Sequence, residues 1–415
     1  MSAFCCDSIT NGNKKKNNNP NSQKESFGIN NVHSTYSTLG NNFGKIDEQI
    51  SKNKFKSFDK SEDSPEKELN GKIGLANLGL SCYFNSAIQI LKNIYPFTLY
   101  ILKNYEKFNK SGFTYSYCKL IANLINQRIC QYFVPNDFFY NLQQLVPDFR
   151  TWKPNDSNIC IIHILNLLEK ETKKEDEPSP DISCILNEEE KVDFKNYINK
   201  SYSKRNSHIL DYFYGFQHYI YECMDKNCKF KKNYFQGFTV LNLPIVSTQA
   251  NVCLKKLEDA ISYYQYYRLH KNEKGFICDK CQQYNIRTCS KIISYPKILL
   301  INFRRVGEDS FYSHDVEVPS KLNVMDKYEY ELIGFIKHIG GAKSGHNIAI
   351  CKNFFDNKWY EYDDSEVSDY NIENNIPDTK NGFLFCYKKL NVFDNIEDDQ
   401  SKNIIIQIAS EIRNI

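Results

Sequence analysis

Neither charge is in large excess: 53 Lys and Arg stand against 50 Asp and Glu in 415 residues, a net charge of +3. No basic stripe interrupts that balance, which argues against a nucleic-acid binder or an anionic membrane surface as partner. There is no apolar run of bilayer-spanning length and no secretory apolar segment after Met1, so cytosol or nucleus is the expected compartment. No internal repeat is found, and Ser2 excludes an N-myristoyl glycine. Histidine is scarce, with eight residues, so a site that depends on imidazole has few candidates. Cysteine is not scarce. Fifteen of them without a signal peptide suggest free thiols, metal ligands and a reactive thiol rather than a disulfide framework. Cys5-Cys6 could be acylated, but an exposed pair in a tail is the simpler reading.

Residues 1–70 are rich in Asn, Ser and Lys and poor in patterned apolar residues, as in Lys14-Lys-Lys-Asn-Asn-Asn-Pro20. Such a segment cannot bury enough surface to offset its ordering entropy, and disorder is expected. From Ile73 the pattern changes, and 71–390 reads as one large domain. Periodicity predicts helices over 82–93, 113–128 and 159–172. Residues 173–206, with Lys173-Lys-Glu-Asp-Glu-Pro-Ser-Pro-Asp181, read as a polar insertion. Strands are predicted over 238–243, 297–303, 330–338, 347–352 and 383–388. Helices first and strands later indicate an α+β domain. Residues 391–415 read as a polar connector followed by a short helix over 404–412.

One segment carries chemistry of its own: Gly74-Leu-Ala-Asn-Leu-Gly-Leu-Ser-Cys-Tyr-Phe-Asn-Ser-Ala-Ile-Gln-Ile-Leu91. Tyr83, Phe84, Ala87, Ile88 and Leu91 recur at helical spacing, so a helix begins near Cys82, just after a Gly-containing turn. A thiol at a helix N-terminus feels the positive end of the macrodipole, which favours thiolate, the nucleophilic form. An inert core cysteine is the commoner fate of a lone Cys, and position alone does not displace it.

A cysteine nucleophile needs a base, and the base needs an orienting group. His346 follows a Gly-rich turn in Lys343-Ser-Gly-His-Asn-Ile-Ala-Ile-Cys351 and opens a strand. Trp359-Tyr-Glu-Tyr-Asp-Asp-Ser-Glu-Val367 reads as the next strand, ending in two acids. Antiparallel pairing would bring Asp363 to the Nδ1 side of His346. Separately, Cys223-Met-Asp-Lys-Asn-Cys228 and Cys278-Asp-Lys-Cys281 form two cysteine pairs whose spacing suits a closed, tetrahedral, structural zinc site. Cys289 is a reserve ligand. Both pairs lie far from His346 in sequence, so no catalytic metal is expected.

Gly74-Leu75, Asn77, Gly79, Ser81-Cys82-Tyr83, Asn85-Ser86 and Gln89 resemble the cysteine box of the ubiquitin-specific proteases. His338-Ile-Gly-Gly341, Ser344-Gly-His346 and Trp359-x-x-Tyr-Asp-Asp-Ser-x-Val367 are similar to the histidine box of that family. Tyr212-Phe-Tyr-Gly215 and Ser294-Tyr-Pro-Lys-Ile-Leu-Leu-Ile-Asn-Phe-Arg304 resemble the segments flanking its zinc-bearing fingers. Gly382-Phe-Leu-Phe-Cys-Tyr387 resembles its final strand. The resemblance implies a papain-like fold with a helical thumb, a β-sheet palm and zinc-bearing β fingers over about 210–300. It implies Cys82 as nucleophile, Asn77 as oxyanion donor, His346 as general base and Asp363 as its orienting group, with Asp364 in support. In some relatives the position of Asp364 carries the more important acid, so the choice between the two stays open. The family has a histidine at the position of His338, and it is not the base.

Three positions depart from the family's pattern. Leu80 stands where Asn is usual, and Asn347 replaces the aromatic residue after the catalytic histidine, which should alter packing rather than remove proton transfer. Residues 155–161, Asn-Asp-Ser-Asn-Ile-Cys-Ile, lack most polar groups of the box that contacts the ubiquitin tail. The resemblance thus implies a deubiquitinating thiol isopeptidase acting on ubiquitin or ubiquitinated proteins, or on a related modifier, through a thioester, without a catalytic cofactor. The alternative is a weakly active or inactive pseudo-protease that binds ubiquitin or a ubiquitin-like protein. A zinc-stabilised nucleic-acid or adaptor protein is disfavoured by the charge balance.

Overall fold

A computed structural model describes residues 71–414 apart from 126–131, 151–154, 183–185, 248–251, 272–275, 307–310, 342–343, 373–378 and 394–398. The expected tail over 1–70, with Cys5-Cys6, lies outside the described residues. Among those described, no helix is long and apolar enough to cross a membrane.

The helix Cys82–Asn93 is buried along its whole length. A helix in that position is normally apolar all round, yet this one holds Asn85, Ser86, Gln89, Lys92 and Asn93. Asn85, Gln89 and Lys92 fall at i, i+4 and i+7 and so share one face. That face binds the incoming chain. Asn85 Nδ2 donates to the Leu75 carbonyl (3.2 Å), Gln89 Nε2 to that of Ile73 (2.8 Å) and Lys92 Nζ to that of Gly71 (2.5 Å). Residues 71–76 are thereby fastened along the helix that they introduce. Gly74 is required in that segment, because a Cβ there would overlap the Ser365 carbonyl.

Further helices surround this one: Tyr95–Lys103, Phe113–Ile125, Asn136–Leu145, Ser157–Glu171 and the C-terminal Asp399–Arg413. The last is longer than the expected 404–412. A seven-strand path orders the main sheet as Glu366–Asp369, Trp359–Asp363, Ser344–Lys352, Tyr328–Gly341, Gly382–Lys389, Ile298–Arg304 and Val240–Pro244, with Lys321–Val324 pairing beside Tyr328–Gly341. The last two strands of the path pair in parallel and the other pairs are antiparallel. Alternate residues serve opposite faces: Ala349 and Cys351 join the helical core, while Ile348 and Ile350 join a second core beneath the sheet. Burial on both faces explains the unbroken apolar run Ile298-Leu-Leu-Ile. The mixed architecture agrees with the expected helical and sheet parts.

A second sheet runs Lys231–Phe238, Gly215–Cys223, Asn285–Ser294 and Arg268–Lys271. The segment 173–206, read as a polar insertion, contains the helix Glu188–Tyr202, opened by a capping box between Asn187 and Glu190. Its charged residues hide a thin stripe of Phe194, Ile198 and Tyr202, all buried, with Phe194 and Tyr202 against Phe216 of the second sheet.

Lys92 is the costliest member of the central helix's polar face. Burial lowers its pKa to about 7, against the Gly71 carbonyl and the Tyr362 ring (4.4 Å away), which favour the cation. The unfolded chain therefore binds more protons than the folded one between about pH 7 and the ordinary lysine range, and this group's contribution to stability rises with pH across that window. Chemical denaturation of the parent and Lys92→Met at pH 7 and pH 9 should show the parent gaining stability relative to the variant as pH rises. A stability difference independent of pH contradicts the assignment.

Candidate active site

The turn before Cys82 is built on the Asn77 side chain. Its Oδ1 accepts from the backbone N–H of Gly79 (2.9 Å) and of Ser81 (3.2 Å), an Asx-type arrangement. Ser81 Oγ in turn accepts from the Leu78 N–H at 2.8 Å. The turn then passes through two left-handed residues, Gly79 (φ 87°) and Leu80 (φ 54°). Cys82 follows as the first helical residue, 8% exposed. The helix start carries no side-chain cap, and Cys82 stands at the positive end of the helix dipole.

The histidine side is built on two adjacent strands, Ser344–Lys352 and Trp359–Asp363. His346 Nε2 lies 2.5 Å from Asp363 Oδ1. The expected contact was with Nδ1, and the structure corrects that: the carboxylate meets the far nitrogen of the ring. Among the described residues His346 Nδ1 has no hydrogen-bond partner. Both side chains are partly open to solvent, at 37% and 43%.

The neighbouring Asp364 is placed differently. It is left-handed (φ 51°), 14% exposed, and 4.0 Å from His346 Nε2. Its Oδ1 accepts from Asn85 Nδ2 and its Oδ2 from Asn77 Nδ2, both at 2.7 Å, while its carbonyl accepts from the Leu75 N–H at 2.7 Å. Asp364 thus ties the strand that carries Asp363 to three points on the cysteine segment. Asn77 spends one N–H on this bond and keeps a second, since a primary amide has two.

Cys82, His346, Asp363, Asn77 and Asp364 therefore gather in one region. The thiol itself is not hydrogen-bonded to His346. Its side-chain donor is Asn347, whose Nδ2 lies 3.7 Å from Sγ. Sequence reasoning assigned Asn347 to packing, and its polar contact with the sulfur was missed. Asn85, the other unforeseen contributor, was named only as a match in the cysteine box, and its bond to Asp364 comes from the fold.

Cys223, Cys228, Cys278 and Cys281 also come together, away from this region, at the tip of the second sheet. Their sulfurs lie within 4.8 Å of one another, with Cys223–Cys281 at 3.5 Å and Cys228–Cys278 at 3.6 Å. Tetrahedral Zn–S bonds of about 2.3 Å put the sulfurs about 3.8 Å apart, so the donor set fits that ion in both chemistry and spacing. Cys289 is not part of the cluster, and its sulfur donates to the Gln265 carbonyl.

Leu80 is half exposed and gains little from packing, while its left-handed backbone costs about 1–2 kcal/mol. Asn tolerates that conformation better. Leu80→Asn should raise the thermal midpoint by about 2 °C, read by calorimetry. A lower midpoint contradicts the strain.

The family model described as ubiquitin carboxyl-terminal hydrolase matches residues 73–387. Ubiquitin carboxyl-terminal hydrolase 21 of Rattus norvegicus is 25% identical over 352 residues, 76% of this chain and 61% of that protein. This chain thus spans less than two thirds of the length of that relative. Ubiquitin carboxyl-terminal hydrolase 4 of Arabidopsis thaliana is 28% identical over 322 residues, 71% of this chain and 84% of that protein. Among solved structures, the SAGA DUB module of Ubp8, Sgf11, Sus1 and Sgf73 bound to monoubiquitin matches at a TM-score of 0.56 and 18% identity, covering 87% of this chain and 76% of that one. A yeast SAGA DUB module matches at 0.59 and 18%, covering 83% and 75%. The solved structures carry the fold, and the family model spans the segments that hold Cys82, His346 and Asp363: this chain belongs to the ubiquitin carboxyl-terminal hydrolase family.

Proposed function

We propose that this chain is a thiol-dependent deubiquitinase that hydrolyses the bond after the C-terminal glycine of ubiquitin. The observation that carries the reading is the 2.5 Å His346–Asp363 contact beside a helix that starts at Cys82, within a family of ubiquitin hydrolases. Two structurally similar SAGA DUB modules are bound to monoubiquitin and to ubiquitin aldehyde, which supports ubiquitin as partner.

The mechanism follows from the residues. Cys82 thiolate attacks the carbonyl carbon. The oxyanion is met by the second N–H of Asn77 and by backbone N–H groups at the helix start. His346 protonates the departing amine from Nδ1, and Asp363 on Nε2 holds the ring and stabilises the imidazolium. Water activated by His346 then hydrolyses the thioester. His346 and the sulfur come into hydrogen-bond contact when substrate binds, as in resting sites whose hydrogen bonds tighten with substrate. Asp363 is the orienting acid in this reading, and Asp364 is the clamp that joins the two halves.

Turnover of a fluorogenic ubiquitin conjugate should vanish in Cys82→Ala. In Asp363→Asn it should fall about 10³-fold or more with the thermal midpoint held. In Asp364→Asn both turnover and midpoint should fall. Full activity in Cys82→Ala refutes the nucleophile, and a stable, inactive Asp364→Asn exchanges the roles of the two acids.

A second reading rests on Asn347 occupying the sulfur and on the departure of 155–161 from the family box that contacts the ubiquitin tail. It takes the chain to be a ubiquitin-binding module with little turnover. Tight binding of ubiquitin by Cys82→Ala, with no cleavage by the parent, favours it.

In the same proposal the four-cysteine cluster holds a structural zinc ion that staples the fingers. Metal analysis of purified protein should find about one zinc per chain, lost in Cys278→Ser together with several degrees of thermal midpoint. Metal-free parent protein of equal stability contradicts this.

A further inference from the structure

A second polar array reaches Cys82 through Asn347, the residue after His346. Asn347 is buried, and its Nδ2 points at Cys82 Sγ from 3.7 Å. Its Oδ1 is 3.1 Å from His338 Nδ1, and His338 Nε2 is 3.3 Å from the Gly341 carbonyl. His338 and Asn347 are register partners on adjacent strands. Gly345 lets the imidazole lie flat there, because a Cβ would overlap the ring. The Phe383 ring, 5.2 Å away, closes another side.

The hydrogen-bond roles in this chain are linked. An amide that turns Nδ2 to the sulfur offers Oδ1 to His338, and that requires a proton on Nδ1. With the Gly341 carbonyl at Nε2, both ring nitrogens then face acceptors, which suits the imidazolium. Asp156, the N-cap of the Ser157–Glu171 helix, is an acid within electrostatic reach of His338. The opposite amide orientation suits a neutral His338 and a protonated Cys82, with the sulfhydryl donating to Oδ1. The amide therefore matches its orientation to the proton on each side. The other titratable groups nearby are Tyr83, which senses Cys82 and Cys160, and His346 with Asp363 and Asp364.

We propose that Asn347 is a catalytic residue that donates a hydrogen bond to the Cys82 thiolate, and that His338 is the positioning residue that fixes the Asn347 amide in its donating orientation. This rests on the reading of Cys82 as nucleophile. The residue types matter, because the aromatic side chain usual at this place could not donate to the sulfur through an amide.

The test is the pH dependence of alkylation of Cys82 by iodoacetamide in the full chain, followed by mass spectrometry of the Cys82 peptide, alongside turnover of a ubiquitin conjugate. In Asn347→Leu the thiol should titrate about one unit higher and kcat/KM at neutral pH should fall about tenfold. Asn347→Asp keeps the shape but sets a negative charge beside the thiolate, and should titrate higher still. His338→Leu should shift the thiol upward, whereas His338→Asn, which keeps an N–H in place of Nδ1–H, should shift it less. Identical titration in the parent, Asn347→Leu and Asn347→Asp overturns the proposal. Alkylation needs no ubiquitin, so the two readings fail separately. A parent without turnover whose Cys82 still responds to Asn347 sinks the proposed function alone. Normal turnover with an unresponsive Cys82 sinks this inference alone.

Discussion

The polar face of the Cys82–Asn93 helix is the constraint on which the site depends. Asn85, Gln89 and Lys92 sit where apolar side chains would pack without obligation. Each instead holds a backbone carbonyl of residues 71–75. A buried donor or acceptor that loses its partner costs about 1–3 kcal/mol, more than the bond itself contributes. The arrangement therefore tolerates one register and penalises its neighbours. Asn85 then extends the same face to Asp364, so the segment that presents Cys82 and the strand end that presents Asp363 are fixed by one connected network.

Two adjacent carboxylates acquire different roles from that network. Asp364 is turned inward by a left-handed backbone and saturated by amide donors, which leaves it little to offer a proton. Asp363, one residue earlier on the strand, points to the open side and meets His346. The two neighbours His346 and Asn347 differ likewise: His346 meets Asp363, and Asn347 reaches the Cys82 sulfur. The four-cysteine cluster stands apart at the tip of the second sheet.

Much of this was legible because the chemistry recurs in local patterns. The helix 82–93 showed in its apolar spacing, and the strands around His346 and Asp363 in their alternation. Other features were hidden for physical reasons. The stripe of Phe194, Ile198 and Tyr202 is diluted by charged neighbours, so the segment read as a polar insertion. Ring orientation is not encoded in spacing, and the contact of Asp363 with Nε2 rather than Nδ1 depends on strand register. Asn347 read as a packing change because only the fold shows that its side chain ends at a sulfur atom. Asn85 was named only as a match in the cysteine box, because its partner Asp364 lies 279 residues away and only the fold brings the two together.

The central claim is that Cys82 is a nucleophile addressed by the ubiquitin tail. The direct measurement is the intact mass of the protein after incubation with ubiquitin bearing a C-terminal electrophile, followed by peptide mapping. The account predicts one ubiquitin added per chain, attached at Cys82 and absent when that residue is alanine. An unmodified protein, or an adduct carried by a different cysteine, would contradict it.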